Sequence, residues 1–177
     1  GFLYALASYG GDLYVGGSFN WAGIVPAEYI ARWDGSAWHA VGGGLDADVM
    51  DFTIFEDRLV VAGGFSNAGN VPVDYIAAWD GSEWSAIGDG IDNTVNAVAV
   101  YDGELYAGGQ FITAGQASVN YLARWNGAAW DAVAGPWAVM GVSVDALTVF
   151  GDWLIVGGNF TSFGLPGASF NANHVAR

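Results

Sequence analysis

The sequence contains no cysteine and no lysine, and only 4 prolines among its 177 residues. Without cysteine, no disulfide, zinc–thiolate centre or cysteine nucleophile can form. Without lysine, the arginines carry all the side-chain positive charge: 4 basic residues face 18 acidic ones, for a formal net charge of −14. That field repels polyanions, so no nucleic-acid partner is expected and anionic membrane surfaces are disfavoured. No apolar run approaches the ~20 residues of a membrane span, so no membrane insertion is expected. The chain opens on Gly1 with no signal-like segment, which fits a processed product or a piece of a longer chain.

What is present is glycine, at 28 residues, in a chain that is 53% hydrophobic and 15% aromatic. This composition fits many short strands joined by tight turns, where glycine supplies positive φ. Double glycines mark a repeat: Gly16-Gly17, Gly63-Gly64, Gly108-Gly109 and Gly157-Gly158, spaced by 47, 45 and 49 residues. Each follows an apolar alternation such as Leu13-Tyr14-Val15 and precedes a Phe: Phe19, Phe65, Phe111 or Phe160. Then comes Tyr29-Ile30-Ala31-Arg32-Trp33, repeated at Tyr75–Trp79 and Tyr121–Trp125. The fourth copy ends at His174-Val175-Ala176-Arg177, before its Trp.

The punctuation implies four strands per unit. The hairpins at Asp34-Gly35, Asp80-Gly81 and Asn126-Gly127 read as type I′ turns, which accept Asp or Asn before Gly. No 3.6-residue period appears, so almost no helix is expected. The fold class is therefore all-β: a β-propeller of about 46-residue, four-stranded blades, in four copies with the last incomplete. Stacking such sheets buries the Trp, Tyr and Phe between neighbours. Residues 1–177 form a single propeller or propeller fragment, with blades at 1–49, 50–95, 96–144 and 145–177 (incomplete). The open last sheet implies a fragment of a larger propeller, or a unit completed by a neighbouring chain.

These residues resemble kelch repeats: an apolar strand ends in Gly-Gly, an aromatic follows, and Trp stands across a hairpin. Leu13 to Phe19 and Ile30 to Gly42 are closer still to the repeats of secreted bacterial surface proteins. The resemblance implies an extracellular or cell-surface, bacterial localisation. It also brings in a copper-oxidase branch of the kelch-like proteins. Its copper chemistry does not carry over, because this chain lacks Cys and holds His39 and His174 in different slots of different repeats.

Residues that recur in one slot read as serving the blade. Arg32, Arg124 and Arg177 share a slot, which calls for aromatic packing or a carboxylate partner. Neither His has a partner legible in sequence, so no general base and no catalytic residue is assigned. Asp46 and Asp48, and then Asp89 and Asp92, lie in loops between blades. Oxygen-rich loops suit Ca²⁺ with its six to eight hard ligands, so these four are the candidate ligands of a possible Ca²⁺ site. No Asp-x-Asp-x-Asp-Gly run accompanies them, and solvated carboxylates are the plainer reading. No other cofactor is expected.

Two loops are longer than their counterparts, by three residues before Val144 and by four before Val175. They carry Trp137 and Met140, and Phe163 and Phe170. Trp21 and Trp153 are also atypical for their slots. Exposed aromatics on loops suit a protein or glycan partner, against the plain reading that they pack on their own loops. The expected function is a non-enzymatic extracellular binding or structural module for adhesion, scaffolding or assembly. The alternatives are a carbohydrate-binding or carbohydrate-active propeller, or a subunit of an extracellular filament or ring. The expected partners are a protein or glycan at the loop face, with self-assembly or missing blades of the same protein as a further possibility.

Overall fold

The structure is a computed structural model that describes residues 1–133, 140–165, 168–170 and 175–176, with side chains over 1–133 and 142–160. It is all-β among the described residues. The chain forms two compact units, Gly1–Gly90 and Ile91–Arg177, each built from two copies of one sheet.

The first unit holds two antiparallel meanders of four strands. Blade 1 runs Phe2–Tyr9, Asp12–Ser18, Ile30–Trp33 and Trp38–Ala40. Blade 2 runs Val49–Phe55, Arg58–Gly63, Ile76–Trp79 and Trp84–Ala86. In the second unit, blade 3 runs Val95–Tyr101, Glu104–Gly109, Leu122–Trp125 and Trp130–Ala132. Blade 4 has a first strand Met140–Phe150 and a long second strand Trp153–Leu165, which pairs with Val175–Ala176 in the third-strand slot. A two-stranded arm projects between the second and third strands of each blade, as in Trp21–Ala22 against Val25–Pro26.

The pairing register corrects the repeat frame. Leu13 aligns with Leu59, Leu105 and Leu154, each beside the first residue pairs of its blade. The slot of Gly16-Gly17 is therefore filled by Ala62-Gly63, not by Gly63-Gly64. Phe19, Phe65, Phe111 and Phe160 then fall 46, 46 and 49 residues apart. The blade limits shift as well, because Val49 and Val95 open the first strands of blades 2 and 3.

The two glycines of the slot serve different ends. Every first strand has a β-bulge at one place, between Leu3/Ala5, Val49/Asp51, Val95/Ala97 and Val144/Ala146. A bulge bends the strand and increases its twist. A Cβ on the second glycine would overlap a carbonyl at or just before the start of the bulge: Phe2 for Gly17, Asp48 for Gly63, Thr94 for Gly109 and Ser143 for Gly158. The first glycine is needed for packing between blades. A Cβ on Gly16 would collide with Val49 and Phe52 of blade 2, and one on Gly108 with Val144.

Between blades 1 and 2 lies one apolar core. Ala5, Tyr14, Ile30, Val41 and Leu45 of the first meet Val49, Phe52, Leu59, Val61, Phe65, Trp79 and Trp84 of the second. Burying side chains of this size stabilises by roughly 1.5–3 kcal/mol each. Trp79 Nε1 donates to the Tyr14 hydroxyl at 3.2 Å, so the buried indole keeps a polar partner. In the second unit Leu122, Val144, Val156 and Phe160 form the corresponding cluster.

The turn chemistry differs from expectation. Trp33 pairs with Trp38, so the Asp34-Gly35 hairpin has four loop residues rather than two. Gly35 has φ 94°, whereas Asp34 is absent from the positive-φ residues that a I′ turn would require at both positions. Instead Asp34 Oδ1 accepts the amides of Ser36 and Ala37 at 2.7 and 2.8 Å. Asp80 and Asn126 do the same for their loops. Asp and Asn interchange here because both offer that oxygen. The φ signature of I′ appears at the turn between first and second strands: Gly10-Gly11, Glu56-Asp57 and Asp102-Gly103 are all positive.

The adjacent glycines of blade 2 separate these causes. Gly63 meets a carbonyl, whereas nothing lies within 4 Å of a Cβ on Gly64, whose φ is not positive. Gly63→Ala should destabilise by about 2 kcal/mol or more, and Gly64→Ala should be neutral or stabilising by up to ~1 kcal/mol. Urea unfolding of both variants measures the contrast, and equal losses would contradict it.

Candidate functional site

The first unit has two concave features, at opposite ends of its strands. One is a cleft of about 630 Å³ at the end carrying the first-to-second turns. Tyr9, Asp12, Tyr14 and Arg32 of blade 1 line it, facing Asp57 and Asp80 of blade 2. The blade register places these side chains: Tyr9 opposes Asp12, and Tyr14 opposes both Ala7 and Arg32. Tyr9 and Tyr14 meet edge to face at 5.7 Å. The Tyr9 hydroxyl donates to the Asp57 carbonyl at 3.0 Å.

Charges in this cleft are fixed in place. Arg32 forms an ion pair with Asp12, and that hydrogen bond raises the arginine's pKa further. Asp80 is held below its ordinary pKa by the amides of Glu83 and Ser82 and the Ser82 hydroxyl. Loss of water around Tyr9 pushes its phenol up, with Tyr14, Asp80 and Asp57 adding to the effect. At neutral pH the cleft thus offers hydroxyl donors and settled charges.

The same set recurs in blade 3. Tyr101 and Tyr106 meet edge to face at 5.9 Å, Arg124 pairs with Glu104 at 3.2 Å, and Tyr101 donates to the Asp152 carbonyl at 2.8 Å. Burial and then Glu104 push the Tyr106 phenol up. Arginine pairing is as expected for Arg32 and Arg124, while Arg177 lies outside the described residues. Sequence reasoning missed the tyrosine pair, although it left a signal. Tyr, acid, Tyr and Arg stand together in copies 1 and 3, and are replaced together in copy 2 by Phe55, Arg58, Val60 and Ala78.

The second feature is a hollow of about 250 Å³ at the arm end of blade 1, lined by Leu3, Val15, Phe19, Trp21, Ala22 and Trp38 among others. Trp21 is 62% exposed on its arm. In blade 4, Trp153 is 50% exposed at the start of the second strand. Phe163 and Phe170 pair on its arm, and Met140 opens its first strand opposite Ser162. Ten residues of continuous strand separate Trp153 from Phe163, about 33 Å at the rise of an extended chain. The candidate aromatics of blade 4 therefore do not form one loop face, because the strand puts them at opposite ends. Trp137 lies outside the described residues.

The candidate calcium ligands divide likewise. Asp46 leaves the linker of blade 1 and accepts from the amides of Ser66 and Asn67 at 2.8 and 3.0 Å, and from both their side chains. Asp92 takes the amides of Ile112 and Thr113 at 3.0 and 3.1 Å. Each carboxylate latches a linker to the arm of the following blade. Asp48 contributes its carbonyl to Gly64 N–H at 2.9 Å. Asp89 lies in the second linker. Among the described residues, no three acidic or histidine side chains group closely enough to hold a metal ion. His39 Nε2 bonds Asp34 at 2.7 Å on an exposed hairpin.

Repeated four-stranded blades stacked through apolar faces define a β-propeller protein. The chain belongs to the family of the Rax2 C-terminal beta propeller domain, whose model matches residues 5–152. No curated protein matches it.

Partial burial raises the Asp46 pKa, but the bonds from Asn67 and Ser66 outweigh this and bring it from the ordinary 3.8 to about 2. A depressed folded pKa gives stability that is present above the unfolded value and lost as pH falls through the folded one. Asp46→Asn should therefore cost about 1–2 kcal/mol at neutral pH and flatten the acid limb between about pH 4 and 2. Unfolding midpoints across that range measure it. Since the latches use protein donors, chelation with EGTA should leave the melting temperature unchanged; a fall of several degrees would restore the calcium reading.

Proposed function

We propose that this chain is a non-enzymatic binding or structural module of an extracellular protein, used in adhesion, scaffolding or assembly. The observation that carries this reading is the state of the cleft's ionisable groups. Asp12 is paired with Arg32, and Asp80 is tied to its own hairpin and held ionised. A general acid or base needs a pKa near the working pH, whereas the bonds from Glu83 and Ser82 hold Asp80 below its ordinary value. The kelch-like pattern, and the likeness to repeats of secreted bacterial surface proteins, support placement outside the cell. Proteinase K added to intact cells of the source organism should degrade the protein. Degradation only after lysis would overturn this placement.

Trp21 favours a second reading, carbohydrate binding. It stands 62% exposed over a hollow whose other walls include Trp38 and Phe19, and flat aromatic faces suit sugar rings. On a glycan array, wild type should give a defined set of signals that Trp21→Ala lowers at least about tenfold, a loss of about 1.4 kcal/mol. An array on which wild type binds nothing would remove this reading.

A further inference from the structure

The tyrosine cleft between blades 1 and 2 has a volume of about 630 Å³, inside the range of about 300–1,000 Å³ typical of small-ligand sites. Both of its walls belong to the first unit. Three aspartates, Asp12, Asp57 and Asp80, and one arginine, Arg32, line it, for a formal charge of −2. Tyr14 is 3% exposed, and its hydroxyl accepts from Trp79 Nε1. Among the described residues, that leaves its own O–H without an acceptor. A buried donor left unpaired costs about 1–3 kcal/mol, so this wall holds a hydrogen bond that a ligand can complete.

Further donors and acceptors stand open beside it. Arg32 has one acidic partner, Asp12, whereas its counterpart Arg124 is shared by Glu104 and Asp131. The difference arises because His39 stands opposite Arg32 where Asp131 stands opposite Arg124, and His39 bonds Asp34 instead. A guanidinium has five N–H donors, so Arg32 keeps several beside Tyr14, its neighbour across the strand pair. On the facing wall, no hydrogen bond or ion pair reaches the Asp57 carboxylate among the described residues; Tyr9 uses only its carbonyl. Asp80 spends Oδ1 on its own hairpin, which leaves Oδ2. Both carboxylates lie near enough to Tyr9 to push its phenol up. The Tyr9 ring and Ile54, which is 41% exposed, add apolar surface to the same cleft.

We infer that this cleft binds an amino sugar, with the ammonium held by Asp57 and Asp80 and the sugar hydroxyl oxygens accepting from Tyr14 and Arg32. A ligand of net positive charge offsets the charge of the walls, which a neutral sugar or a zwitterionic amino acid does not. Hydroxyl oxygens next to the amine supply the acceptors that a simple alkyl amine lacks. Ammonium–carboxylate hydrogen bonds are roughly twice as strong as neutral ones, and a cation over a tyrosine face gains further. The C–H face of the ring packs on Ile54. The field of a chain with net charge −14 raises the local concentration of cations. The inference deepens the binding reading above and rests on it, but proteolysis on intact cells reads location while the cleft is read by titration, so the two fail separately.

The probe is the glucosamine disaccharide, titrated calorimetrically into the whole chain at about 0.15 M salt, where a Debye length of about 8 Å screens the general field. It should bind with a Kd of about 10 μM to 1 mM. The di-N-acetylated disaccharide keeps the rings but loses the charge, and should bind at least about tenfold more weakly. This comparison leaves the protein unchanged, so misfolding cannot confuse it. Asp57→Asn should lower affinity for the amine form at least about tenfold. Its melting temperature should match wild type, because Asn accepts the left-handed backbone of residue 57, φ 57°. Glu28→Gln, the same loss of charge on an exposed residue outside the cleft, should leave the affinity unaltered. Absence of binding at roughly 20 mM disaccharide, equal binding of the two disaccharides, or equal losses for the two variants would overturn the inference.

Discussion

The structure depends on how closely two backbones can approach at one slot of the second strand. A backbone carbonyl beside the first strand's bulge stands against the second strand, and Gly17, Gly63, Gly109 and Gly158 leave room for it. One residue earlier, Gly16 and Gly108 leave room for a valine of the next sheet. Close packing of this kind has no slack, since interiors are as dense as organic crystals. The glycines therefore set both the shape of each sheet and the distance to its neighbour. Everything larger fills the space around that contact: the Phe at the end of the second strand, the Trp pair across the hairpin and the aliphatic residue of the linker.

The polar groups are spent on the same task. In this acidic chain some carboxylates pair with arginine, and others bind backbone amides. Asp34 and Asp80 hold hairpins, while Asp46 and Asp92 hold linkers to arms. Such bonds use the ionised carboxylate, which is why Asp34, Asp46 and Asp80 all titrate below their ordinary range. For Asp34 the bond from the Ser36 hydroxyl leads, followed by the Ala37 amide and His39. These residues serve the turns and linkers as ionised acceptors.

Another constraint is backbone conformation at the start of the third strand. Tyr29, Tyr75 and Tyr121 have φ of 65, 72 and 71°, a region that L residues seldom enter. Each is clasped on both sides: Tyr29 N–H donates to the Phe19 carbonyl and its carbonyl accepts from Gly17, with the same pair of bonds in the next two blades. Strained φ is kept only when surrounding bonds over-determine it. Recurrence in three blades marks this as a device of the scaffold that folds the arm back onto the sheet, rather than a feature of one site.

Composition, repeat length and strand count were legible in the sequence because they follow from local rules: period-2 alternation, turn residues and the spacing of aromatics. So was the pairing of Arg32 and Arg124 with carboxylates. The frame of the second copy was not, because Gly63-Gly64 mimics the double glycine of the other copies and the hydrogen-bond register places Ala62-Gly63 in that slot. The turn type of the Asp34 hairpin was hidden too, since Asp-Gly suits two turns and the choice depends on whether Trp33 pairs across two residues or four. The latch made by Asp46 was hidden as well, because its partners Ser66 and Asn67 lie 20 and 21 residues away and arrive only when the arm folds over. The sequence by itself determined what each blade is. Tertiary structure decided which faces within a unit are buried and which carboxylates are occupied, because those depend on contacts between repeats that are alike in sequence but not in neighbours.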